Sequence, residues 1–356
     1  MRLWNKVNFG VKQGIREIQY NILPSNSHIL KPSYITINPT YTCNLKCLMC
    51  DSWRSITNRE LNIYEWKKII YDFKKWLKHY YVTISGGEPF LYKDVVQIIN
   101  FASKNGAITN ITTNGTLMSK DTASAVINSG LNSITFSLDS PYEQKHDFIR
   151  GVSGTYRKVI QSINLFRYSK RVKRFIATIL TDMNTKEISD LIKMAKNNCV
   201  DGIYFQPLTF KLIHNSEKNR LLRINKLWPK NQKKIEKSIN QIIKFKMKNY
   251  LIQNSIEHLE LIKQYYSDGE QKEILPVCQN GIKSINIEPN GDVQLCSFMN
   301  NIGNASKKGV KEVLYSVESK QSREIIQSCK QSCILLNCNF PDSLRTKFNK
   351  FLLLTR

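Results

Sequence analysis

Residues 34–50 read YITINPTYTCNLKCLMC. Tyr34 to Asn38 is a β-rich run, and three cysteines follow it at CxxxCxxC spacing: Cys43, Cys47 and Cys50. Thiolates at these intervals on one loop can take three corners of an iron–sulfur cluster, for which cysteine is the usual ligand. Zinc also suits thiolates, but it would want a fourth ligand nearby, and Asp51 is the only neighbour that suggests one. Three cysteines leave one iron of a four-iron cluster without a protein ligand, which is what a catalytic cluster requires.

Outward from this stretch, short β-rich runs alternate with apolar stripes at helical spacing as far as about Leu208. The further strand candidates are Tyr81 to Ser85, Ala107 to Thr113, Ser133 to Leu138, Arg174 to Leu180 and Ile203 to Leu208. The stripes between them include Trp66, Ile69, Ile70, Phe73 and Leu77, then Val159, Ile163 and Phe166. Asn184 followed by Glu187 resembles a capping box opening the helix before Cys199. Such alternation predicts right-handed crossovers and a parallel sheet. Six units predict an α/β fold, a partial (β/α)6 parallel barrel, with reactive residues at the C-terminal strand ends. Ahead of it, residues 2–22 have the spacing of an amphipathic basic helix, which packs on the body or lies on a membrane surface. Behind it, about 230–266 is helical and basic, and Glu288-Pro289-Asn290-Gly291 is a hairpin turn between Ile282–Ile287 and Asp292–Cys296. A helix over about Ser319 to Gln327 leads into the last cysteines. The division is therefore a lead-in over 1–33, a barrel core over 34–210, a helical bridge over 211–272, and a small cysteine-rich hairpin-plus-helix domain over 273–356.

The 356 residues carry 53 Lys+Arg against 28 Asp+Glu, a net charge of +25. That charge favours anionic partners such as phosphorylated small molecules, nucleic acid or lipid headgroups, unless it is only a solvated face. None of the nucleic-acid signatures is present, so no nucleic-acid partner is expected. The longest wholly apolar run, Phe351 to Leu354, is far short of a membrane span, and no secretory signal is evident, so the expected location is the cytoplasm. Nine cysteines, an odd count, argue for metal or cluster ligation rather than a disulfide framework. Three lie in front, Cys199 stands alone, and five lie behind: Cys278, Cys296, Cys329, Cys333 and Cys338. The split suggests two metal sites.

The front motifs resemble the radical SAM superfamily. Its hallmark CxxxCxφC is matched by Cys43, Cys47 and Cys50, with Met49 at φ. Ser85-Gly86-Gly87-Glu88-Pro89 is similar to the family's GGEP segment, and Thr113-Asn114-Gly115 to its TNG segment. Ser137-Leu138-Asp139 and the run His146 to Gly151 follow in order at the next strand end. The resemblance implies a cluster whose free iron is chelated by S-adenosylmethionine, reductive cleavage to a 5′-deoxyadenosyl radical, and an electron donor such as flavodoxin or ferredoxin. It implies roles too. Gly86 and Gly87 would let backbone approach the ligand. Glu88 would meet the methionine ammonium, while Ser137 and Arg150 would meet its carboxylate and ribose side. Asn114 would donate to ribose or substrate, and Gln206, Pro207 and Leu208 would flank the adenine.

The rear half resembles the SPASM/twitch extension, with four residues between Gly291 and Cys296 in the expected manner. The full SPASM form has seven cysteines; the five here can ligate one four-iron auxiliary cluster and leave one over. Cys278 and Cys296 belong to that set, and two of Cys329, Cys333 and Cys338 complete it; zinc is the other reading. Cys199 reads as a packed thiol or a hydrogen-atom donor. Only 33 residues precede the first strand, too few for a winged-helix leader-binding module. That points toward a small, sugar-, nucleotide- or lipid-linked anionic substrate. The alternatives are a ribosomal-peptide maturase of the SPASM type and, in another class, a non-catalytic zinc or iron–sulfur scaffold.

Overall fold

In the computed structural model the described residues are 14–16, 18–20, 22–23, 30–55, 59–209, 226–248, 250–268 and 276–340. Most of the expected amphipathic helix over 2–22 lies outside them. The barrel strands are β1 (Tyr34–Thr40), β2 (Tyr80–Gly86), β3 (Ala107–Thr113), β4 (Ser133–Ser137), β5 (Lys173–Leu180) and β6 (Gly202–Pro207). All six sequence expectations fall on them, each within two residues at either end. Between them run α1 (Ile63–Leu77), α2 (Val95–Lys104), α3 (Lys120–Asn128), α4 (Glu143–Arg150), α5 (Thr155–Leu165) and α6 (Ile188–Asn197). Then come α7 (Gln232–Met247), α8 (Ile256–Asp268), β7 (Ser284–Ile287), β8 (Val293–Gln294), α9 (Val310–Leu314) and α10 (Val317–Gln327).

Helix α1 shows how sequence makes these elements. Asn62 accepts from the Tyr64 and Glu65 amides, and Glu65 returns a bond to the Asn62 amide, a complete capping box. The stripe Trp66, Ile69, Ile70, Phe73 and Leu77 is buried against the sheet. The box expected at Asn184 does not form. Its amide nitrogen donates to the Asp139 and Ile179 carbonyls and its oxygen accepts from Thr181, so the side chain ties strand ends together instead.

Strands β1 to β6 pair in sequential order, all parallel. The rear hairpin is not detached from them. β7 pairs parallel with β1 on its free side, Ile37 opposite Ile287, and β8 returns antiparallel. One eight-stranded sheet results, in the order β6-β5-β4-β3-β2-β1-β7-β8. Because β1 and β7 run the same way, the cysteine loop after β1 and the Glu288 turn after β7 emerge side by side. At the other edge Ile252 bridges Ile203, and Tyr265 and Tyr266 of α8 bond the Leu208 and Leu180 carbonyls through their hydroxyls. Among the described residues no helix is long and apolar enough to cross a membrane.

Candidate active site

The loop carrying Cys43, Cys47 and Cys50 is clamped from outside by the C-terminal end of α4. The Lys46 amide donates to the Arg150 carbonyl at 3.2 Å and the Leu48 amide to Ile149 at 2.9 Å. Underneath, Leu45 and Met49 pack with Ile149, Leu208 and Leu227 in a small apolar cluster. Met49 and Leu208 are thus buried supports of the loop.

Cys47 is buried, whereas Cys43 and Cys50 are half-buried. Burial first, then the charges of Cys47, Glu88 and Cys50, push the Cys43 thiol up to about 11. Burial also raises Cys47, and Arg150 opposes it. The Arg150 guanidinium lies 3.8 Å from Cys47 Sγ through Nη1 and 2.7 Å from Asp139 Oδ2 through Nη2. Burial works against its charge, but Asp139 and Cys47 outweigh burial and hold Arg150 protonated. Its carboxylate partner here is therefore Asp139, while Nε is buried without a hydrogen-bond partner. Behind the pair, buried His146 accepts from the Asp139 amide at 3.2 Å through Nδ1. Burial and then Arg150 drive this imidazole down to about 3, so it is neutral.

Gly86 and Gly87 are kept small by the packing of the strand end. A Cβ on Gly86, whose φ is +111°, would overlap the Thr40 carbonyl; one on Gly87 would overlap the Tyr41 and Thr42 carbonyls. The pair lets the end of β2 lie directly on the cysteine loop, fixed by Gly87 N to Thr40 O and Glu88 N to Thr42 O, both 2.9 Å. Glu88 is 1% exposed. It accepts from Thr113 Oγ1 at 2.8 Å, the Asn114 amide at 2.8 Å and the Phe90 amide at 3.2 Å. Burial lifts it to about 7 against those three donors. Asn114 in turn donates to Asn44 Oδ1 at 2.9 Å and accepts from Thr116. Both residues organise loops around the thiols. Ser137 is half-buried at the end of β4, and Gln206 accepts from Asn337 at 3.4 Å.

Three residues that the sequence did not mark as part of a site, Tyr41, Asn38 and Glu288, join the two halves. Tyr41 donates its hydroxyl to buried Glu288, and Asn38 bonds both of them. The signal for Glu288 was its place at the head of the hairpin turn, one residue beyond the strand that pairs with β1.

Among the rear cysteines, burial first and then Cys329 and Cys296 push Cys278 up to about 11. Cys329 also raises Cys296, after burial. These three therefore stand near one another. Cys333 is buried on the short helix Ser332–Leu335. Cys338 follows Asn337, which binds Gln206 and Asn254 beside the end of β6. Cys199 is not a packed thiol: it is exposed, at φ +54°, with Arg167 3.8 Å from its sulfur.

Both donor sets consist of soft thiols, which favour iron–sulfur centres. Arg150 gives the front set a fixed countercharge, and its buried Nε is a donor without a hydrogen-bond partner. Among the described residues no three His, Cys, Asp or Glu side chains stand close enough together to hold a metal ion as they are placed here.

The radical SAM superfamily model matches residues 37–195, and SPASM, an iron-sulfur cluster-binding domain, matches 278–339. Among curated relatives, a PqqA peptide cyclase of Bradyrhizobium diazoefficiens is 25% identical over 166 residues, 46% of this chain and 43% of the relative. An AdoMet-dependent heme synthase of Methanosarcina barkeri is 28% identical over 46% of this chain and 47% of the relative. Mycofactocin maturase MftC of Mycolicibacterium smegmatis is 25% identical over 46% and 42%. The match therefore spans less than half the length of each. In fold, the chain is similar to Streptococcus suis SuiB bound to S-adenosylmethionine, with TM-score 0.64, 19% identity, and 82% of this chain and 68% of that one covered. It is also similar to AdoMet-bound anSMEcpe, with TM-score 0.63, 20% identity and 82% of each chain covered.

Proposed function

Since the chain belongs to the radical SAM superfamily and ends in a SPASM domain, we propose that it is a peptide maturase, using a radical to oxidise or crosslink residues of a ribosomally made peptide. Radical SAM domains hold a [4Fe–4S] cluster and S-adenosylmethionine, and SPASM domains hold auxiliary iron–sulfur clusters. When bound, these groups supply a 5′-deoxyadenosyl radical that abstracts a substrate hydrogen. In this reading Cys43, Cys47 and Cys50 hold the catalytic cluster, with Arg150 beside Cys47 stabilising its thiolate. Glu88 and Asn114 fix the loops that face the cofactor. Ser137 and Gln206, half-buried at the ends of β4 and β6, line its ribose and adenine side. Cys278, Cys296 and Cys329, with Cys333 or Cys338, hold one auxiliary cluster.

The observation that carries the peptide reading is the recurrence of a peptide cyclase and a maturase among the relatives, PqqA peptide cyclase and mycofactocin maturase. It outweighs the small anionic substrate expected from the sequence. A tetrapyrrole carboxylate is the second reading, supported by the heme synthase relatives and the +25 charge. Anaerobic, reconstituted protein should release 5′-deoxyadenosine with dithionite, and Cys47→Ala should release none. A mass change on a candidate precursor peptide, with none on iron coproporphyrin, supports the maturase; the reverse result overturns it.

A further inference from the structure

The sheet presents two unlike faces. Ile35, Ile37, Val82, Ile84, Ile111 and Ile134 lie in the apolar core together with the helices. The residues alternating with them stay outside that core, and one register row of this second face is wholly polar. It runs Asn286, Thr36, Thr83, Asn110 and Ser133 across β7, β1, β2, β3 and β4. The first four are half-buried. Asn110 Oδ1 accepts from the Ser133 and Thr135 hydroxyls at 2.9 and 3.1 Å. The Asn110 amide nitrogen and the side chains of Asn286, Thr36 and Thr83 have no hydrogen-bond partner among the described residues. Thr36 stands four residues before the end of β1, about 13 Å along the strand. Asn38 continues the same face to the cysteine loop, where it bonds Tyr41.

Charge on this face is already compensated. Lys173, opposite Ser133, pairs with Asp201 at 3.1 Å. Lys283 Nζ lies 5.3 Å from the Tyr34 ring centre, and Glu288 accepts from Tyr41. The other strand positions on this face are uncharged. A charged side chain laid on the row would lose water and find no counterion. An apolar one would cover donors and acceptors and leave them unmet. An uncharged, hydrogen-bonding segment avoids both costs.

We propose that this row seats an uncharged, hydrogen-bonding stretch of the peptide, rich in Gly, Ser, Thr, Asn or Gln, beside the residue that is modified. The inference rests on the peptide reading and narrows it, because acidic, basic and purely aliphatic stretches are rejected at the row. Carboxylates of the kind a tetrapyrrole carries meet no available cation there. The ring pairs Tyr34–Tyr81 and Phe175–Tyr204, with centres 5.6 and 5.5 Å apart, flank the row with flat surfaces on which peptide planes can lie.

The test uses reconstituted protein with S-adenosylmethionine and capped octapeptides of Gly, Ser and Thr in which one central position is Asn, Asp, Lys or Leu. Equilibrium dialysis should place the Asn peptide first, with the Asp, Lys and Leu peptides weaker by about tenfold or more. Asn110→Asp keeps the acceptor for Ser133 and Thr135 and adds a negative charge to the row. In that variant the Lys peptide should gain about tenfold while the Asp peptide stays weak. Thr83→Asp, the register neighbour, repeats the switch if Asn110→Asp loses its far-ultraviolet circular dichroism. A wild type that binds the Asp or Lys peptide as tightly as the Asn peptide overturns the proposal. So does an order of affinities that neither variant changes. If no peptide binds while dithionite still releases 5′-deoxyadenosine, the peptide reading itself fails and takes this inference with it, an outcome distinct from tight binding of a charged peptide.

Discussion

Buried Glu88 holds three donors from two segments, Thr113, the Asn114 amide and the Phe90 amide. Replacing it by Gln turns an NH2 toward at least one of them and strands a buried donor, at a cost of about 1–3 kcal/mol. Glu88→Gln should therefore lower the urea midpoint and reduce iron uptake on reconstitution; an unchanged midpoint would show that the three bonds carry no stability. His146 supplies a pH dependence. Its folded pKa of about 3 lies below the unfolded 6.5, so the unfolded chain takes up the proton first and stability falls as pH drops through that window. Between pH 6.5 and 3 this one group costs up to about 1.4 kcal/mol per pH unit. His146→Asn retains an acceptor for the Asp139 amide and should flatten the fall between about pH 6.5 and 5 in denaturation midpoints. An identical slope in both proteins would move the cause elsewhere. Residue types were legible in the sequence at both positions, because GGEP and the run after β4 are compact motifs. Their bonding was not, since Glu88 meets Thr113 and Asn114 only once β2 and β3 are paired.

The six barrel strands were legible as elements because β-rich runs and helical stripes alternate without interruption from β1 to β6. What escaped was the join at the other edge. Ser284–Ile287 is four residues long, and nothing in a strand that short names its neighbour; the pairing depends on Ile37 and Ile287 coming into register. That register places Asn38 and Tyr41 against Glu288, so the rear hairpin braces the cysteine loop. The other brace is β2, through Gly86 and Gly87. Gly87→Ala forces a methyl against the Tyr41 and Thr42 carbonyls, and overpacking of this kind costs typically about 1–3 kcal/mol. The strain would fall on the loop leading to Cys43. Reconstituted Gly87→Ala should hold fewer irons than wild type while the far-ultraviolet circular dichroism stays the same. A full iron complement would mean the two strand ends can separate at no cost to the site.

At the scale of the whole molecule, a front thiol set and a rear thiol set hang on one sheet, and the shared strand pairing makes them mechanically dependent. Two four-iron clusters correspond to about eight irons per chain, whereas a zinc-bearing rear site corresponds to about four irons plus zinc. After burial, Cys329 raises the thiols of both Cys278 and Cys296, whereas Cys338 is exposed. Cys329→Ala should therefore lose the rear iron as fully as a Cys278→Ala, Cys296→Ala double variant, leaving about four irons in each. A variant at Cys338 decides whether that residue or Cys333 is the fourth ligand: if Cys338→Ala keeps about eight irons, the remaining position belongs to Cys333. Cleavage of S-adenosylmethionine should survive in part in the rear variants while product formation stops, because a rear cluster held by four cysteines would have no open corner for the cofactor. Partial rather than full survival is expected, since β7 loses rigidity with its cluster and its hold on Tyr41 through Glu288 weakens. A wild type that reconstitutes with about four irons and stoichiometric zinc would refute the second cluster. Rear variants that cleave at the full wild-type rate would show instead that the sheet does not transmit the loss to the front site.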